Sequence, residues 1–327
     1  MRRAATPLGS LTLLALVTWM ILLPPLPHGD TSATTPSHAL WLGVEWVNEP
    51  RPSREIHALS ERLKANRVGT VFAYTTYLRR DGTWSASRAH APAFLRGMRR
   101  AAPGVRVEAW IGLPLKPPSW YRRAGHVVLA DPAVRALVVA QARSLALDEG
   151  FDGVHVNAEP ILNGDASVLS LLEEIRAAIG PRKSLSVTKP GEIPILRSAP
   201  GLSRMAWSDA YTREVAKRAD AVAVMAYDSA MLTGGLYEAW MRLQVVNVTR
   251  ALKGTKRHVW IGLPTYPNVT LAHRPRVENL DTALAGLLAG PRDPRAEPSV
   301  VRGAAIYAEW TTTPTDWATF ERTWRTR

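Results

Sequence analysis

The chain has 327 residues, is 46% hydrophobic and 21% charged, and carries a formal charge of +13. That composition is globular rather than disordered or fibrous, and the about 290 residues beyond the N-terminus suffice for one large α/β barrel or two small domains. The chain contains no cysteine, which excludes disulfides, thiolate catalysis, Cys-ligated zinc and a lipid-modified N-terminal Cys.

The basic excess is spread over predicted helix faces and turns, such as Arg96, Arg99 and Arg100, or Arg122 and Arg123. No dense Lys/Arg block is present, so no nucleic-acid partner is expected. A basic exterior suits anionic surfaces such as cell-wall polymers or phospholipid headgroups; solvated basic faces are the plainer reading. At the N-terminus, Arg2 and Arg3 precede an apolar run over 8–23, followed by Pro24, Pro25 and Pro27. Residues 1–30 therefore read as a secretory signal or membrane anchor, and 31–37 as a linker. The apolar run is shorter than the roughly 20 residues of a comfortable transmembrane helix. The body, 38–327, is expected to be secreted or anchored on the outer face of the cytoplasmic membrane, with the N-terminus as tether.

From there the chain alternates. Strand-like segments fall at 40–47, 70–75, 106–113, 152–158, 184–188, 221–227, 258–263 and 303–308. Helical patterns follow at 53–65, 88–101, 132–149, 167–178, 208–218, 237–252, 280–288 and 315–322. Ser53 is a predicted N-cap, Asp131-Pro132 places Pro at a first helical position, and Gly150 ends a helix. Eight strands alternating with eight helices predict an α/β fold, a (β/α)8 TIM barrel. A doubly wound open sheet is the alternative, but no Gly-rich turn follows Val47.

The fourth strand is the most informative. Val154, Val156 and Ala158 alternate with His155, Asn157 and Glu159, and Pro160 follows. A polar row on an otherwise apolar strand is costly to bury without partners. It lines a site, or it is a buried network without chemistry. In a barrel, active groups sit at the C-terminal strand ends. Those ends offer Glu45, Trp46 and Asn48; Tyr74 and Tyr77; Glu108 and Trp110; Lys189; Met225, Tyr227 and Asp228; Pro264 and Tyr266; and Tyr307, Glu309 and Trp310. Carboxylates with aromatic platforms suit sugar chemistry, in which an acid protonates the glycosidic oxygen and flat rings stack on pyranose faces. Each aromatic taken alone reads more readily as core packing, but they gather at one end of the predicted barrel.

These residues resemble glycoside hydrolase family 18, the chitinase-like barrels. That family's fourth strand carries D-G-x-D-x-D-x-E; here Asp152, Gly153 and Glu159 match, with His155 and Asn157 at the two intervening acidic positions. Met225-Ala226-Tyr227-Asp228 matches the sixth-strand M-x-Y-D, and Gly262-Leu263-Pro264-Thr265-Tyr266 the seventh-strand G-x-P-x-Y. The eighth-strand Trp corresponds to Tyr307, with Trp310 close by. At Asn157 the chain is similar to family 85, the endo-β-N-acetylglucosaminidases, which have Asn two residues before the acid Glu. Asn48-Glu49-Pro50 looks like the motif of another glycosidase clan, but it follows the wrong strand.

The resemblance implies a retaining, substrate-assisted glycosidase acting on β-linked N-acetylglucosamine glycans of the chitin, peptidoglycan or N-glycan type. It implies Glu159 as acid and base, with Asn157, Tyr227 and Asp228 on the 2-acetamido group. Substrate contacts are then expected from Glu45, Trp46, Tyr74, Trp110, His155, Met225, Tyr266, Tyr307, Glu309 and Trp310. A structural ion pair between Glu159 and a residue such as Lys189 is the rival role for that carboxylate. A non-catalytic carbohydrate-binding or wall-associated barrel is the alternative function. No metal or cofactor is expected, since phosphate-loop, H-E-x-x-H and G-x-S-x-G motifs are missing from the sequence. A monomer is expected.

Overall fold

A computed structural model describes residues 37–85, 87–118, 125–192 and 203–325. The predicted leader 1–30 and nearly all of the linker lie outside them. The strands are β1 (His38–Leu42), β2 (Val68–Tyr77), β3 (Arg106–Pro114), β4 (Gly153–Glu159), β5 (Ser184–Pro190), β6 (Ala221–Met225), β7 (His258–Pro264) and β8 (Val301–Tyr307). They close into a parallel barrel in sequence order, with β1 against β8. The helices are α1 (Ser53–Ala65), α2 (Ala91–Ala101), α3 (Pro132–Arg143), α4 (Ala166–Ile179), α5 (Asp209–Arg218), α6 (Gly234–Leu252), α7 (Leu280–Ala289) and α8 (Pro314–Arg325). Closure in that order is the (β/α)8 fold, and it excludes the open sheet.

Period two along each strand divides the interior into two cores. Trp41, Phe72, Trp110 and Trp260 fill the barrel together with small residues such as Ala39, Ala223 and Ala305. Leu40, Val71, Ile111, Val154, Val156, Leu185 and Val187 point outward and pack with the helices. The apolar face of β4 therefore meets the helix layer, and its polar row faces the barrel axis. Among the described residues, no helix is long and apolar enough to cross a membrane.

Several boundaries differ from the sequence expectation. β1 stops at Leu42, and Glu45–Asn48 is a helical turn rather than strand. The Glu45 carboxylate folds back over Gly43, where a Cβ would lie 2.1 Å from it. Ser53 is the first residue of α1, not its cap; the Pro52 carbonyl accepts the Glu55 amide at 2.9 Å instead. Asp131 does cap α3, accepting from the Ala133 amide. α3 does not run on as α-helix but widens into a π turn at Ser144–Asp148 before Gly150, whose φ is 86°. β6 ends at Met225, because Asp228 adopts a φ of 55° that turns the chain. Glu108 pairs with Gly153, the first residue of β4, and so lies in the lower half of the barrel, not at its mouth.

Candidate active site

Two cavities, of about 520 Å³ and 830 Å³, open at the C-terminal mouth. Trp110, Asn157, Glu159, Pro160, Tyr307 and Trp310 line both, so the two spaces form one cleft with Glu159 at its waist. One lobe adds Trp41, Met225, Tyr227, Asp228 and Tyr266. The other adds Glu45, Tyr74 and Tyr77.

Tyr307 is the hub of the floor. Its ring stacks with Tyr227 at 5.0 Å and meets Trp41, Tyr266 and Trp310 edge-on at 5.5 to 5.8 Å. Trp310 is 48% exposed, which leaves an indole free to stack on a sugar. Gly262 lets the Tyr227 ring lie over β7: a Cβ there would sit 2.6 Å from the Val224 carbonyl and 3.0 Å from that ring. The glycine of the seventh-strand motif thus has a steric role.

Asn157 hydrogen-bonds to the neighbouring strand β5, where the Thr188 hydroxyl lies 2.8 Å from its Oδ1. The Tyr266 hydroxyl donates to Asp228 at 2.7 Å. Burial first, then Tyr307, Glu159, Tyr266 and Asp228, holds the Tyr227 phenol well above its ordinary pKa, so it remains a donor. The Tyr74 phenol is pushed up to about 12, chiefly by burial. The Tyr307 phenol is raised by burial, then by Glu159 and Asp228. Lys189 is not a partner of Glu159; it is buried against Glu192, 2.7 Å away.

Not every predicted site residue reaches the cleft. The Trp46 indole is buried and donates to Glu309 at 3.3 Å. Glu309 also pairs with Arg62 at 3.2 Å, and burial raises its carboxyl pKa. Trp46 and Glu309 thus serve one another beside the barrel mouth. His155 is fully buried beneath the floor. The Trp41 indole N–H, which can only donate, lies 3.2 Å from its Nε2. Its proton therefore sits on Nδ1, 2.7 Å from the Ser186 hydroxyl, which in turn donates to Glu108 at 2.5 Å. Desolvation lowers His155 to about 3 and raises Glu108 to about 7.

Trp41 and Thr188 are functional candidates that the sequence reading passed over. The alternation Ser184-Leu185-Ser186-Val187-Thr188 carries the signal for Thr188, as Ala39-Leu40-Trp41 does for Trp41. Among the described residues, Asp228, His273 and Glu278 bring ligand-type atoms within 4.8 Å of one another. His273 Nδ1 already hydrogen-bonds Glu278 at 3.0 Å, and Glu278 also accepts from Ser229, so the group is a satisfied bracket between loops.

No protein-family model matches the chain, and comparison with curated protein sequences gives no match. Solved structures do share its fold, and the class they define is the (β/α)8 barrel, with chitinases and a spore cortex-lytic enzyme among the structures that carry it. A plant class V chitinase mutant from Cycas revoluta in complex with (GlcNAc)3 is 13% identical, with a TM-score of 0.59 over 88% of this chain and 99% of that one. The spore cortex-lytic enzyme SleL of Bacillus megaterium QM B1551 is 10% identical, with a TM-score of 0.58 over 99% of this chain and 85% of that one. The GH18 chitinase ChiB from the chitin utilization locus of Flavobacterium johnsoniae is 12% identical, with a TM-score of 0.50 over 89% of this chain and 94% of that one. At these identities the likeness is one of fold.

Proposed function

We propose that the protein is a retaining glycoside hydrolase acting on β-linked N-acetylglucosamine glycans through substrate assistance. One observation carries the reading: Glu159, Asn157, Tyr227, Asp228 and Tyr307 line a single cleft at the C-terminal mouth. The Glu159 carboxyl protonates the glycosidic oxygen as the bond to C1 breaks. The substrate's own acetamido carbonyl oxygen attacks C1 and gives an oxazolinium ion. Asn157, held by Thr188, hydrogen-bonds the acetamido group, and the neutral Tyr227 hydroxyl donates to its oxygen. The Glu159 carboxylate then takes a proton from water, which opens the ring with retention.

Asn157 stands where family 18 has Asp, so charge stabilisation of the oxazolinium falls to Asp228 and to amide hydrogen bonding. Family 85 resembles the chain in this respect. A leader of the exported type supports action outside the cytoplasmic membrane. The test is release of chromophore from an aryl N,N′-diacetylchitobioside by the full chain. Turnover that disappears in Asn157→Ala supports the reading. Retention of chitooligosaccharides without turnover of any of them favours a binding barrel instead, which the uncharged His155 and Asn157 would suit.

A further inference from the structure

Behind the cleft lies another cavity, of about 430 Å³, a size that accommodates a small ligand. Pro160 lines both spaces, and the Leu115 amide at its edge donates to the Glu159 carbonyl at 2.7 Å. Arg204 lines this cavity while its neighbour Met205 lines the cleft. The two spaces therefore share a wall directly beside Glu159.

The lining combines apolar and cationic residues. Leu115, Val127, Leu129 and Leu162 are its buried apolar residues, and Val128 adds a side chain left 41% exposed. Lys116 and Arg204 supply the charge, and among the described residues neither has an ion-pair partner. Among the described residues the one acid in the lining is Asp165, which is engaged in capping α4, accepting from the Ser167 amide at 3.0 Å and the Ser167 hydroxyl at 2.6 Å. The backbone around both cations is fixed. The Arg204 carbonyl accepts from the Asn163 amide at 2.7 Å, Asn163 Oδ1 from the Ser208 amide at 2.7 Å, and the Ile161 carbonyl from the Trp207 indole at 3.0 Å. The Lys116 amide donates to the Val127 carbonyl at 2.8 Å.

We propose that this cavity receives a carboxylate-bearing peptide branch of the glycan, so that the preferred substrate is a peptide-substituted N-acetylglucosamine polymer rather than a neutral one. The inference rests on the glycosidase reading of the adjoining cleft. A neutral polysaccharide has no use for two exposed cations that lack an ion-pair partner among the described residues. A short peptide branch offers alkyl side chains to the apolar residues and carboxylates to Lys116 and Arg204. The formal charge of +13 would also draw such an anionic polymer toward the protein.

The experiment is calorimetric binding to the full chain, comparing N,N′-diacetylchitobiose with a disaccharide of the same length bearing a lactyl-linked alanyl-glutamate. Two exposed ammonium or guanidinium contacts to carboxylate predict about tenfold tighter binding of the peptide-bearing probe at low salt. The preference should shrink toward unity at high salt. Lys116→Gln with Arg204→Gln should abolish it and leave chitobiose affinity unchanged. Equal affinities in the wild type, a preference that survives the double substitution, or no binding of the peptide-bearing probe would each overturn the proposal. Turnover of the aryl chitobioside is scored separately, so loss of the preference with turnover retained condemns the side cavity alone. Loss of turnover on every glycan condemns the glycosidase reading.

Discussion

Tyr227 shows how one residue is prepared by its surroundings. Its ring is half-buried against Tyr307, Tyr266 and the space left by Gly262, and the carboxylates of Glu159 and Asp228 oppose its ionisation. A phenol so held gives up its proton to no base present, yet can donate a hydrogen bond to a developing oxazolinium oxygen. Tyr227→Phe should therefore lower kcat on the chitobioside about 100- to 1,000-fold, the usual loss for one preorganised donor. Thermal unfolding should shift little; full activity in this variant would remove Tyr227 from the chemistry. Thr188 acts one step further back, on the Asn157 amide. Thr188→Val should lower kcat with little change in KM, and Thr188→Ser should restore it; a parallel loss in both variants would indicate packing instead. Neither Thr188 nor Trp41 was legible as a site residue, because a small hydroxyl or a single indole in mid-strand looks like barrel filling. Conversely, Trp46 and Glu309 look like sugar contacts in sequence, and only the fold reveals that they bond to each other across 263 residues of chain.

The strands β1, β3, β4 and β5 together hold the buried chain from Trp41 through His155 and Ser186 to Glu108. The four groups are mutually satisfied in their uncharged forms, which is what makes burial of a His and a Glu tolerable. Two opposite pH dependences follow. Glu108 is raised from its ordinary 4.5 to about 7, chiefly by burial. Its contribution to stability is full below 4.5 and is lost as pH rises through 7. His155 is lowered from 6.5 to about 3 by burial; its contribution is full above 6.5 and is lost as pH falls toward 3. Glu108→Gln keeps an acceptor for Ser186 and cannot ionise. Denaturant unfolding at a series of pH values should show the wild type losing up to about 3 kcal/mol relative to this variant between pH 4.5 and 7. Parallel profiles would mean that Glu108 titrates normally. The alternation that builds this chain was readable in β4 because polar and apolar residues alternate strictly there. The register that seats Glu108 opposite Gly153, deep in the barrel, was not readable, since period two fixes the face of a residue and not its depth.

At the scale of the molecule, the barrel closes where β1 meets β8, and α8 seals the joint. His38 of β1 packs against Phe320 and Trp324 of α8 at 4.9 and 4.5 Å. Phe320 is fully buried, so Phe320→Ala should cost about 3–5 kcal/mol, measured by urea unfolding. A cost below 1 kcal/mol would show that the closure does not depend on α8. Eight alternations made this architecture legible from the sequence, because strand and helix periods differ and each element must bury one face. The mouth was less legible, since its loops carry no period, and the chain's own turns at Gly43 and Asp228 decide which side chains reach the cleft. The central claim is that Glu159 moves the proton at the waist of that cleft. The most direct measurement compares wild type with Glu159→Gln on two N-acetylglucosaminides, one with a poor leaving group and one with a good one. The account predicts a loss of about 100- to 10,000-fold on the poor leaving group and a much smaller loss on the good one, which needs little protonation. Equal rates for the two proteins on the poor leaving group would contradict it.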